Sequence, residues 1–174
     1  MTDRTPIETK NLDRYGDAEL PWSRPQDALA GIDPGESLTW FLGTVRPDGR
    51  PHAAGVGAIW FDGDAYFTSS PEARKAKNLA ANPVCTISVR LPGIDLVFEG
   101  EAERVTDRAT LDAVVAQFQK GGWPAEVEGD AFLAPFSAPS AGPPPWHQYR
   151  LTIRTVFGVA GEEPHGATRW TFAP

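Results

Sequence analysis

SLTWFLGTVRPDGRPHAAGVGAIWFDGDAYFT, residues 37–68, holds three strand-like runs separated by two tight turns. SLTWFLGTV (37–45) is rich in aromatic and β-branched side chains and reads as a strand. Arg46-Pro47-Asp48-Gly49 is a turn with a mechanism, since proline presets φ and glycine accepts positive φ. PHAAGVGAIWF (51–61) is the returning strand, Asp62-Gly63-Asp64 a second turn, and residues 65–68 a third strand. The chain therefore opens its folded part as a β-meander.

Downstream, PEARKAKNLAANP (71–83) changes period. Ser70 is placed to cap a helix and Pro71 to occupy its first position. Ala73, Ala76, Leu79 and Ala80 form a narrow apolar stripe, and Pro83 ends the helix. Residues 84–90 and 95–105 then read as a hairpin about Leu91-Pro92-Gly93-Ile94. In its second arm Glu99, Glu101 and Glu103 alternate with Phe98, Gly100 and Ala102, the mark of a half-exposed antiparallel strand. Thr106 stands as the cap of a helix over 107–120, where Leu111, Val114, Val115 and Phe118 recur at helical spacing. Residues 123–147 are proline-rich and aperiodic, a long irregular loop of the kind that often carries function. Tyr149, Leu151, Ile153 and Phe157 then form the inward side of a strong strand, and residues 168–172 a last short one.

Upstream, residues 1–36 mix Pro21, Pro25, Pro34, Gly31 and Gly35 with charges and read as an N-terminal arm with one short helical stretch near 26–30. Regular structure is expected from Ser37, and residues 37–174 as a single domain. The fold class is mainly β with a few helices. A closed or split β-barrel is the economical arrangement for about seven antiparallel strands without long exposed edges.

Composition narrows the function. The 174 residues carry a net charge of −7, which argues against nucleic-acid binding. The charge is uneven: residues 46–90 hold six basic groups against four acids, a local +2, and the remainder holds ten against nineteen, a local −9. One basic segment in an acidic chain suits a small anionic ligand. There is no run of eighteen apolar residues and no apolar leader at the N-terminus, so neither membrane nor export is expected. Cys85 is the one cysteine, which excludes an internal disulfide and fits a reducing cytoplasm. Three scattered histidines give neither a metal site nor a Ser–His–Asp order, so no catalytic protein residue is assigned and any redox chemistry is left to a bound cofactor.

Thr68-Ser69-Ser70 precede a helix start, where free N–H groups and the positive dipole end favour an anion. Lys75 and Asn78 share one helix face, with Arg74 beside it. Fixed donors, hydroxyls and a cation are what phosphate recognition requires, though an ordinary Ser-capped basic helix reads the same way. Gly55-Val56-Gly57 marks a bend or a place where a flat ligand approaches backbone. His52, at a strand start, reads as a hydrogen bonder rather than a catalyst.

These blocks resemble the pyridoxamine 5′-phosphate oxidase-like split β-barrel proteins, which bind FMN or the deazaflavin F420. TVRPDGRPH (44–52) is similar to the family's first hairpin. Tyr66-Phe67-Thr68 leading into Arg74-Lys75-Ala76-Lys77-Asn78-Leu79 and Asn82-Pro83 is similar to its phosphate-binding strand and helix. TRWTF (168–172) resembles the ending of actinobacterial F420-dependent members. The resemblance implies a homodimer and a flavin or deazaflavin oxidoreductase acting on a small conjugated substrate. The rivals are an FMN enzyme of the same fold and a non-catalytic binder of flavin, F420 or haem. Carried over by position, Lys75 and Asn78 would meet the phosphate with Thr68, Ser69 and Ser70. The backbone of Gly55-Val56-Gly57 would flank the ring, His52 would lie among the cofactor-binding residues, and Arg169 and Trp170 would approach a cofactor, its own or the partner subunit's. F420 is favoured because Arg74, Lys75, Lys77 and Arg50 could guide its carboxylate tail. The Arg- and His-bearing substrate signature of the biosynthetic oxidase is missing, which argues against vitamin B6 oxidation, and Gly55 stands where many relatives carry proline.

Overall fold

The computed structural model describes residues 4–36 and 38–173; Ser37, the expected first strand residue, lies outside them, as do residues 1–3 of the expected arm. Among the described residues the chain forms β1 (Glu8–Asn11), α1 (Ser23–Ala30), β2 (Trp40–Val45), β3 (Pro51–Val56), β4 (Ala58–Phe61) and β5 (Asp64–Ser69). It continues with α2 (Arg74–Ala81), β6 (Val84–Leu91), β7 (Ile94–Arg104), α3 (Arg108–Lys120), β8 (Glu126–Glu128), β9 (Ala131–Leu133), β10 (His147–Ala160) and β11 (Gly166–Thr171). No helix is long and apolar enough to cross a membrane.

The main sheet runs β1-β11-β10-β7-β6-β2-β3, with β5 joining β10 and β4 joining β5. β3 and β4 are consecutive, separated only by Gly57, and pair with β2 and β5 respectively. The chain itself thus closes the ring: the expected single strand over 51–61 is two strands hinged at a glycine. The Thr68 N–H still reaches the Gly57 carbonyl at 3.1 Å, which holds the bend against β5. The split lies on β10. Residues 147–151 pair with β5, residues 155–160 pair with β11 along the same edge, and the register with β7 slips between Ile153 and Thr155. This bulge reverses the facing of the later residues. Val156 is buried where alternation placed Phe157, because one extra residue flips the side-chain phase.

Turn chemistry follows the sequence. Asp62 (φ 49°) and Gly63 (φ 84°) form a two-residue left-handed turn, the Asp-Gly hairpin preference. Leu42, Phe67, Ile87, Phe98 and Leu151 fill the barrel at 0% exposure. Gly100 permits the crossing at the bulge: a Cβ there would stand 2.0 Å from the Thr152 carbonyl oxygen.

Regular structure begins at Glu8 rather than Ser37. The arm pairs as β1 with β11 and adds Leu20 and Leu29 to the barrel core. Its charged composition hid this, since β1 is exposed along its whole length. α3 starts one residue later than expected, capped by Asp107, whose carboxylate accepts the Thr110 N–H at 2.8 Å; Thr106 is not the cap. Its apolar stripe packs on Tyr66, Val105 and Phe132. The proline-rich loop is not wholly irregular. It contains the β8–β9 hairpin, and Phe132 bridges Trp146.

Candidate functional site

β5 ends at Ser69 and the chain turns sharply before α2. The Ala73 N–H bonds the Ser70 carbonyl at 3.1 Å and the Glu72 N–H meets Ser70 Oγ at 3.3 Å. Residues 70–73 therefore close on themselves, and the helix begins at Arg74 with Ala73 as its N-cap. Ser70 is not the helix cap and Pro71 is not its first residue. No side chain caps α2, so its amino end keeps its donors.

Beside this turn lies a cavity of about 420 Å³. Gly55, Val56, Gly57, Thr68, Ser69, Ser70 and Lys75 form one side of it. Seven candidate residues from three separate sequence blocks thus meet in one place, because the bend at Gly57 lays the end of β3 against the end of β5. The rest of the lining was missed from sequence: Phe118, Trp123, Trp146 and residues 136–138, 140 and 141 of the proline-rich loop. The signal available was the cluster of aromatics within that loop. The loop is held by its own bonds, Trp123 Nε1 donating to the Phe136 carbonyl at 2.7 Å and Trp146 Nε1 to that of Ala141 at 3.4 Å.

Lys75 is the one charged side chain on the cavity wall among the described residues. It is half-buried, and burial pulls its pKa below the ordinary lysine range. No described carboxylate pairs with it. An ammonium that has lost water without gaining a counter-ion favours an incoming anion.

Asn78, His52 and Arg74 stand outside the wall. Asn78 is fully buried behind α2, where its Nδ2 donates to Thr44 Oγ1 at 2.9 Å and its Oδ1 has no partner. Thr44 Oγ1 lies 3.4 Å from His52 Nδ1, so Asn78 and His52 grip one hydroxyl from two sides. His52 is held below its usual pKa by partial burial and then by Arg46, Lys75 and Arg74, which gather around it. Arg74 is exposed beside the cavity. Lys77 is engaged by Glu72 at 3.1 Å and Arg50 by Asp48 at 2.6 Å. Of Lys75, Arg74, Lys77, Arg50 and Arg46, the three without a described salt bridge are Lys75, Arg74 and Arg46, so the unengaged positive charge lies toward the first hairpin and not along α2 at Lys77.

Arg169 and Trp170 lie on β11 and line neither this cavity nor the larger one described below. Trp170 is wholly buried against Trp22, with ring centroids 5.4 Å apart, and Arg169 pairs with Glu8 at 2.9 Å. Cys85 is a buried strand thiol, pushed up to about 12 by burial, and is inert at neutral pH.

The family model for pyridoxamine 5′-phosphate oxidase matches residues 30–159, a span that holds β2 to β9, nearly all of β10 and every residue of the Lys75 cavity. The chain belongs to the pyridoxamine 5′-phosphate oxidase family. No protein of curated function matches it in sequence. Among solved structures, an F420 reductase is 22% identical, covering 75% of this chain and 94% of its own, with a TM-score of 0.52. A pyridoxamine 5′-phosphate oxidase-related, FMN binding protein from Nostoc punctiforme PCC 73102 is 18% identical over 89% of this chain and 98% of its own (TM-score 0.52). A heme binding protein from Mycobacterium smegmatis is 18% identical over 80% of this chain and 54% of its own (TM-score 0.57). At these identities the likeness is one of fold. Within the family frame, Thr68, Ser69, Ser70 and Lys75 of this chain share one cavity, whereas Asn78 stands behind it as a support for Thr44.

Proposed function

We propose that this chain binds a flavin-type cofactor, F420 in preference to FMN, and moves a hydride between it and a small conjugated substrate. The observation that carries this reading is the half-buried, unpaired Lys75 in a cavity otherwise walled by hydroxyls, glycine backbone and aromatic rings. The residues fit such a group. A Cβ on Gly55 would meet nothing within 4 Å, so bare backbone faces open space where a flat ring can lie. Ser69, Ser70, Lys75 and the uncapped end of α2 suit a phosphate.

The bound cofactor would supply the redox chemistry. The chain's own residues bind and orient: Lys75 and the hydroxyls hold the phosphate, and the backbone of residues 55–57 flanks the ring. Phe118, Trp123 and Trp146 keep water from the cavity. No protein nucleophile takes part. F420 is favoured over FMN because Arg74 and Arg46 extend the positive charge beyond Lys75, which a carboxylate-bearing tail would use and FMN would not.

A homodimer belongs to the same reading. No residue of β3 is fully buried, and Phe41, Val45 and Val84 are 51%, 36% and 52% exposed on neighbouring strands. Phe41 is thus an apolar anchor for a partner, whereas Trp40 and Phe98 lie inside the barrel. An interface above roughly 2,000 Å² in total is expected.

The test is a titration of apo protein with F420, FMN and haemin, followed by absorbance, and then oxidation of the reduced cofactor by conjugated acceptors. Saturable F420 binding with turnover supports the proposal. Binding without turnover on any acceptor identifies a carrier, and preference for haemin excludes the flavin reading.

A further inference from the structure

A second, larger cavity of about 1010 Å³ lies on the other side of the bent strand. It is lined by α1, by Ile32, Pro34, Leu38 and Trp40 after it, and by β4, including Ala58 and Trp60. Phe118 and Trp123 complete it, and these two residues with Gly57 also border the Lys75 cavity. We propose that this cavity is a separate ligand site for an uncharged or cationic hydrophobic molecule bearing a ring system.

Size and lining support that class. Sites for small organic ligands are concave, mostly apolar and about 300–1,000 Å³, with a few polar groups at their edges. Here Trp22, Trp60 and Trp123 bring indole rings to the lining, a surface chemistry that favours rings and, through the indole quadrupole, cations. The charges on the wall are of one dominant sign. Asp33 and Glu36 border the cavity, and the one cation on its wall among the described residues, Arg4, is itself bound to Asp64 at 3.0 Å. An anion would therefore be repelled, the reverse of the Lys75 cavity across the strand. The exposed apolar face of Phe41, Val45 and Val84 contributes nothing to this lining, so a second copy seated on that face would leave the cavity free. The inference does not depend on the cofactor reading, because none of Thr68, Ser69, Ser70 and Lys75 borders this cavity.

The test uses the full-length apo chain and three probes: uncharged N-phenyl-1-naphthylamine, cationic 9-aminoacridine and anionic 1-anilinonaphthalene-8-sulfonate. The first two are expected to bind saturably and quench tryptophan fluorescence, with the sulfonate at least about tenfold weaker. Ala58→Phe, which fills the cavity from β4, should weaken the uncharged probe at least about tenfold. If circular dichroism shows that this variant misfolds, Ala30→Trp decides instead, because Ala30 borders the cavity from an exposed position at the end of α1. An absence of saturable binding, or unchanged affinity in the deciding variant, overturns the site. A sulfonate that binds as tightly as the uncharged probe overturns the ligand class. FMN affinity measured in Ala30→Trp separates the two cavities: it should match wild type, and a parallel loss would show that there is one site and not two.

Discussion

Lys75→Met keeps the length of the side chain and removes its charge. The ammonium is half-buried with no described carboxylate partner, so its interaction with a bound phosphate is a charge-assisted bond in a partly dry site. Such bonds contribute about 1.5–3 kcal/mol, which is roughly a ten- to 150-fold loss of affinity. The sign for folding is opposite. Burial depresses the folded-state pKa of Lys75, so the folded chain holds that proton less tightly than the unfolded chain does. Below its folded pKa the charged lysine costs stability, and the cost fades as pH rises from there to the ordinary lysine value. The variant should therefore melt at or above wild type at pH 7, with the gap closing in alkali. Calorimetry with FMN and with riboflavin isolates the phosphate: FMN affinity should fall and riboflavin affinity should hold. Wild-type FMN affinity in Lys75→Met, or an equal loss for riboflavin, would refute the assignment.

Gly100→Ala should cost about 3 kcal/mol or more in urea unfolding, because its Cβ would stand 2.0 Å from the Thr152 carbonyl and the ladder would have to open. A loss below about 1 kcal/mol would mean that the β7–β10 crossing is looser than its geometry. Phe41→Glu should give a monomer by light scattering at micromolar concentration, since it sets a charge in the middle of the exposed apolar face. Burial raises the pKa of Asp64, with Arg4 opposing, so its contribution to stability is present at acid pH and lost as pH rises through the raised value. Asp64→Asn should accordingly gain on wild type between pH 4 and pH 7 in thermal melts.

The barrel was legible where local chemistry and pairing agree. Asp62-Gly63 named its own turn, Pro92-Gly93 its hairpin, and the glutamates of β7 their solvent face. The arm was not legible, because β1 is fully exposed and joins the sheet through backbone bonds to β11 and one surface ion pair, with no apolar face to read. The β10 bulge was hidden because nothing local near Arg154 announces it; its cause is the change of partner strand from β5 to β11. One side of the candidate site was readable, since Thr68, Ser69, Ser70 and Lys75 lie close in sequence. The aromatic side depends on the fold of the proline-rich loop, which has no period to read. Asn78 shared a helix face with Lys75 in projection, yet the inward side of α2 takes it to Thr44.

The central claim is that the Lys75 cavity and the positive charge beyond it hold a phosphorylated deazaflavin with an anionic tail. Apo protein titrated with F420 and with FMN at about 50 and 300 mM salt addresses it directly, because screening weakens long-range contacts to an exposed tail far more than contacts to a phosphate in the cavity. F420 should bind the more tightly at low salt and lose more of its affinity on salt addition. Tight FMN binding with no measurable F420 binding would contradict the role given to that charge, and no binding of either would contradict the site itself.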